Sequence, residues 1–260
     1  LLGGAAVGFT LSKIIQLPTH QLGFDVLGSQ LGVELSTSWL SAVFIVGLVI
    51  TGAHSLFRDH PLYRQGQVRY TFIFWILSAL TALVTGASLA RVESTQAWLS
   101  VMVGGIILLG VVTANEFKLL DPSKLERPGV QLFAAIVVYT LALALLTLIY
   151  ATRTRALLAG PAAFAVSSLL TVRFLWNTIQ QPRRIAFYGG ITGLIMSQAV
   201  WALNYWRMEP LAGGLLLLLI FYVVTGIEQQ FLLDQMSRRV LIEYGVVVSV
   251  AAVVILSLLA

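Results

Sequence analysis

Four ionisable side chains stand where an apolar run ends, each just behind a threonine. They are His54 in Thr51-Gly52-Ala53-His54, Glu116 in Thr113-Ala114-Asn115-Glu116, Arg173 in Thr171-Val172-Arg173-Phe174 and Glu228 in Thr225-Gly226-Ile227-Glu228. At the middle of a bilayer such a group costs about 2.5–3.5 kcal/mol on insertion scales, so its presence calls for a physical reason. Two reasons are open. Near the inner end of a span, where the cost is lower, each can act as an interfacial cap or a polar contact between neighbouring hairpins. Alternatively, His54, Glu116, Glu228 and Arg173 converge on one polar cavity facing the cytoplasm. Thr51, Thr113, Thr171 and Thr225 could each bond to the carbonyl one turn back and ease a bend in the helix.

Other chemistry finds little support. The chain has three histidines, His20, His54 and His60, and His20 falls on the opposite side of the apolar runs from the other two. That is too few for a membrane di-iron site. A single His54 could ligate a chlorin or haem from within a helix, although a lone histidine is more often a structural polar residue. With no cysteine, disulfides, thiolate metal sites and cysteine nucleophiles are excluded. No glycine-rich phosphate loop and no Gly-x-Ser-x-Gly elbow occurs. Glu243 follows Arg239 by one turn, the spacing of an i, i+4 ion pair. No catalytic residue, metal ligand or cofactor is assigned.

The elements that must position these residues are membrane spans. Hydrophobic residues make up 58% of the 260 and charged residues 10%, against roughly a quarter charged in soluble domains. Eight strong spans are predicted: Trp39–Phe57, Tyr70–Ala90, Trp98–Asn115, Val130–Tyr150, Ala156–Val172, Ile185–Tyr205, Leu211–Glu228 and Val240–Leu259. Each approaches the ~20 apolar residues that cross a bilayer. Lipid cannot satisfy exposed backbone groups, so the spans are helices. The expected fold is an all-α polytopic membrane protein of one transmembrane domain, residues 1–260. A partial N-terminal span occupies 1–15. Four helical hairpins follow at 39–92, 98–151, 156–206 and 211–260, their consecutive helices packed as antiparallel neighbours. Gly160-Pro161 is expected to open the fifth span, in whose first turn proline is tolerated.

Residues 16–38 interrupt this pattern. Phe24 and Val26, then Leu31, Val33 and Leu35, alternate with polar or small neighbours around Gly28-Ser29-Gln30. That period of two predicts a small extracytoplasmic β-hairpin over the membrane surface, with the Gly-Ser-Gln stretch as its turn.

Lysine and arginine set the orientation. The long loops after alternate spans hold Arg58, Arg64, Arg69, Lys118, Lys124, Arg127, Arg173, Arg183, Arg184, Arg238 and Arg239, which is 11 of the 16 basic residues. Lys13, Arg91, Arg153, Arg155 and Arg207 lie on the other side. The positive-inside rule puts the long loops in the cytoplasm and the C-terminus outside. Trp39, Trp98, Tyr205 and Trp206 then fall at outer ends, where amphipathic rings prefer the headgroup level. Basic residues in ones and twos between spans are topology signals, so nucleic acid is not an expected partner.

The hairpins resemble one another. Setting Thr113 against Thr225 aligns Glu116 with Glu228 and Arg127 with Arg239. Small residues mark faces where helices approach closely: Ser78, Ala82, Gly86 and Ala90 every four residues, and Gly189, Gly193 and Ser197 likewise. Internal packing is the favoured reading of both stripes over an external dimer seam.

Leu17-Pro18-Thr19, Val26-Leu27-Gly28-Ser29-Gln30-Leu31, Thr51-Gly52-Ala53-His54 and His60-Pro61 resemble an uncharacterised family of multi-span bacterial membrane proteins, a domain of unknown function met in Chloroflexi and Cyanobacteria. The resemblance covers the first sixty or so residues. It implies a bacterial plasma-membrane setting, phototrophs included, and assigns no activity to any position. Three functions are therefore expected in order. The first is a non-catalytic subunit of an energy-converting, photosynthetic or envelope complex, with lipids and other membrane subunits as partners. A small-solute or lipid transporter lined by Glu116 and Glu228 is the second. The third is a pigment-binding subunit or intramembrane enzyme using His54.

Overall fold

The computed structural model describes residues 1–14, 20–26, 29–35, 37–65, 70–121, 128–152, 156–206 and 208–257. Leu17-Pro18-Thr19, Leu27-Gly28, the basic residues Arg69, Lys124, Arg127, Arg153, Arg155 and Arg207, and Leu259 lie outside them. The chain divides into two compact units, Leu1–Asp121 and Pro122–Ala260. Seven helices among the described residues are long and apolar enough to cross a membrane, and the protein is a polytopic helical membrane protein.

The first unit contains α1 (Leu2–Ile14), β1 (His20–Val26), β2 (Ser29–Leu35), α2 (Thr37–Arg58), the single turn α3 (Pro61–Arg64), α4 (Phe72–Leu89) and α5 (Thr95–Leu119). β1 and β2 pair antiparallel, with Leu22 opposite Val33 and Phe24 opposite Leu31, so the apolar positions of the two strands are in register. Ser29 and Gln30, expected in the turn, are paired in β2 with Val26 and Asp25. α1 packs on α2 and α5, and α4 on α2 and α5. Ala5 and Phe9 of α1 are buried with Ile45, Val49, Ala82 and Leu109 in the core of this unit. α3 begins at Pro61, whose missing N–H is no loss at a helix start, and the His60 Nδ1 accepts from the Leu62 N–H at 3.3 Å.

The second unit is α6 (Pro128–Thr152), α7 (Ala156–Trp176), α8 (Pro182–Asn204), α9 (Pro210–Leu232) and α10 (Arg238–Ser257). α7 and α8 share the most extensive contact, and α9 packs against α6, α8 and α10. α10 overlaps the eighth expected span, Val240–Leu259, but is not one of the seven membrane-crossing helices among the described residues.

Several expectations need correction. The helices do not end at the threonine motifs. α5, α7 and α9 continue to Leu119, Trp176 and Leu232, because Phe117, Phe174-Leu175-Trp176 and Phe231-Leu232 keep the pattern apolar past the charge. Pro161 is not in the first turn but is the sixth residue of α7. The expected hairpin 98–151 is divided: the unit boundary at Asp121 places α5 in one unit and α6 in the other. α5 is held by α1 and α4, whereas α6 has its larger contact with the non-consecutive α9. Gly213 and Gly214 explain this last pairing, since Tyr150 and Thr147 of α6 occupy the space a Cβ would need. Two glycines in a leucine-rich run let the backbones approach, which is how helices associate in lipid.

Candidate functional site

Because the helices run on past the motifs, the ionisable groups lie inside them. Glu116 and Arg173 have no exposed surface and Glu228 is 6% exposed. These are buried polar groups, not interfacial caps. His54 is half-buried. In the first unit its ring meets Trp75 of α4 edge-on at 4.9 Å and Tyr63 at 6.4 Å. Its Nδ1 and the Trp75 Nε1 are buried without a hydrogen-bond partner. His54 and Glu116 thus belong to one unit, and Arg173 and Glu228 to the other.

The threonines of the motif behave alike with one exception. Thr51, Thr113 and Thr225 donate to the carbonyls of Gly47, Leu109 and Phe221 at 2.8, 2.7 and 2.7 Å. Thr171, expected to do the same, is buried with an unpartnered Oγ1. Two of the bonded hydroxyls also join helices. Ser78 Oγ lies 3.1 Å from Thr113 Oγ1, and since the threonine proton is committed to Leu109, Ser78 is the donor. Tyr139 OH likewise donates to Thr225 Oγ1 at 3.2 Å, joining α6 to α9. Thr192 of α8 donates to Glu228 Oε1 at 2.8 Å. Arg173 Nη1 donates to Asn177 Oδ1 at 2.8 Å.

The small-residue stripes sit inside the units. Ser78 and Ala82 are buried, and Gly86 lies against Phe9 of α1. Gly189 faces Ser168 and Val172 of α7, Gly193 faces Phe164 and Ser168, and Ser197 lies against Gly160.

One feature was not anticipated. At the end of the second unit where α7 and α9 finish and α10 begins, a cavity of about 400 Å³ opens between α6, α7, α9 and α10. Its aromatic lining is Tyr139, Phe174, Tyr222 and Tyr244. Ring centroids are 5.6 Å apart for Tyr139 and Phe174, 5.6 Å for Tyr139 and Tyr222, and 5.7 Å for Tyr222 and Tyr244. These separations are those of favourable tilted aromatic pairs. Amides supply the polar part: Gln131 from α6, Asn177 beyond α7 and Gln229 from α9. Gln229 Nε2 donates to Thr178 Oγ1 at 3.2 Å, fixing that side chain across the end of α7. Leu132, 63% exposed, stands at the open side. Gly226 completes the wall, and Tyr244 occupies the space that a Cβ there would fill.

Among the described residues the lining carries no Asp, Glu, Lys or Arg. Glu228 is two residues from Gly226 but its carboxylate is turned to Thr192 of α8. Of the motif residues Phe174 and Gly226 reach the cavity, with Thr225 just behind Tyr139. Sequence reading missed the site because its signal is weak. Tyrosines at 139, 222 and 244 and amides at 131, 177 and 229 are scattered over α6, α9, α10 and the turn after α7, and no spacing within one helix brings all of them together. A volume of this size with convergent polar groups on an aromatic wall is what small-molecule sites offer: stacking, and hydrogen bonds of fixed direction.

A family model described as Protein of unknown function (DUF5656) matches residues 17–258. No curated protein and no solved structure matches the chain.

Proposed function

The chain belongs to this family of unknown function, whose model spans nearly all of it, and from the geometry we propose a non-catalytic, multi-pass subunit of the bacterial cytoplasmic membrane. One observation carries the reading: polar groups buried in the helices serve as ties between neighbours. Ser78 to Thr113, Tyr139 to Thr225 and Thr192 to Glu228 each join two helices. Such ties hold a scaffold rigid in lipid, where the hydrophobic effect gives no drive for helix association. Exposed apolar side chains on α10, among them Ile242, Val246, Val250 and Val253, suit lipid or the helices of other membrane subunits. In this reading the basic loops face the cytoplasm, and the β1–β2 hairpin and the C-terminus face outward.

Purification from native membranes in mild detergent tests the proposal. A defined set of co-purifying membrane proteins is expected. A monomer in every detergent, with no protein at stoichiometric yield, overturns it.

The cavity favours a second reading, in which the subunit binds a small solute. The transporter expectation changes accordingly. Aromatic rings and amides, not Glu228, form the surface a solute would meet.

A further inference from the structure

We propose that the cavity between α6, α7, α9 and α10 receives a flat, uncharged ring bearing carbonyl-type acceptors, the chemistry of a quinone head group. The proposal rests on the solute-binding reading and names its ligand class. Charge is the first argument. Among the described residues no side chain of the lining is ionic at neutral pH, so a charged ligand would leave water with no counter-ion in contact. In a low-dielectric site that loss outweighs dipolar contacts. Four aromatic faces could hold a cation, but Asn177, whose Oδ1 is already taken by the Arg173 guanidinium at 2.8 Å, offers it no acceptor.

The same bond sets the polarity of the site. With Asn177 Oδ1 accepting from Arg173, the amide nitrogen is the group left to meet a ligand, as a donor strengthened by the neighbouring charge. At the same end Gln229 Nε2 is spent on Thr178 Oγ1, which leaves the Thr178 hydroxyl proton to meet a ligand beside the Asn177 amide. A ligand acceptor therefore suits this end, while Tyr139, Phe174, Tyr222 and Tyr244 offer ring faces and edges within one ring width of one another. The open side is bordered by exposed Leu132, an apolar approach that a lipophilic ring can use.

The test uses the full chain in nanodiscs, with empty nanodiscs as the baseline. The probe is a benzoquinone carrying one short isoprenyl tail, measured by equilibrium dialysis. Saturable binding at one equivalent is expected. Affinity should fall at least tenfold in Ala135→Phe, which fills the half-buried wall position on α6, and in Tyr222→Leu. Tyr222 is 36% exposed, so the second variant keeps the claim testable if the first fails to fold. Naphthalene, tetramethylammonium and benzoate should not compete. Equal quinone binding in both folded variants overturns the proposal. Displacement by tetramethylammonium or benzoate, itself lost in Tyr222→Leu, overturns the ligand class and leaves solute binding standing. No binding of any probe removes both.

Discussion

A buried carboxylate meets lipid, water or a partner, and Glu228 meets Thr192. The bond at 2.8 Å satisfies one oxygen, while Oε2 is buried without a protein partner. A double-mutant cycle isolates this tie. Thr192→Val keeps the shape and removes the donor, so it should lower unfolding stability by about 1–3 kcal/mol. Combining it with Glu228→Met should recover part of that loss, because removing both partners leaves no orphaned acceptor. The coupling energy expected is about 0.6–2 kcal/mol, read from unfolding in mixed micelles. Additive effects would show that the bond contributes nothing. At this scale the sequence was only half legible. Each motif threonine was visible, and three of the four bond one turn back, but Thr171 has no partner at all. Local spacing allows a bond to the previous turn; it does not oblige the hydroxyl to take it.

Helix packing separates glycines that are needed from those that are not. On α8, Gly193 lies against Phe164 and Ser168, including the Phe164 carbonyl at 2.9 Å from where a Cβ would sit. Gly190, on the same helix, has nothing within 4 Å of that point. Gly193→Ala should therefore destabilise by about 1–3 kcal/mol through overpacking. Gly190→Ala should be neutral or stabilise by up to about 1 kcal/mol through helix propensity. Thermal unfolding of the two variants decides it, and equal effects would overturn the assignment. Seven of the eight expected spans were legible because lipid demands about 20 apolar residues whatever the tertiary structure. Their ends were not, since a charge within an apolar sequence does not stop the helical ladder. Pairing was largely legible: consecutive spans pack together in the expected hairpins 39–92, 156–206 and 211–260, and the exception is α9, which Gly213 and Gly214 bring onto α6.

For the whole molecule, the absence of cysteine makes topology directly measurable. Single cysteines at Asp59, Gln180 and Gln235 should react with a membrane-impermeant maleimide only after cells are permeabilised. Those at Glu93 and Tyr205 should react in intact cells. The reverse pattern would invert the orientation argued from lysine and arginine. The candidate site belongs to this scale, since it exists only where four helices of one unit come together. Of the motif threonines only Thr225 touches its lining, through Tyr139, and the expected cluster of ionisable residues named none of its surface.

The seat of Tyr244 on Gly226 has an evolutionary consequence. A ring that fills the place of a missing side chain binds two positions into one heritable unit, although they lie on different helices. Neither can enlarge alone. A lineage that gains bulk at 226 must lose it at 244, and that exchange would reshape the cavity wall in the same step. Much of the outward surface of α10 can meanwhile drift under no rule stricter than remaining oily.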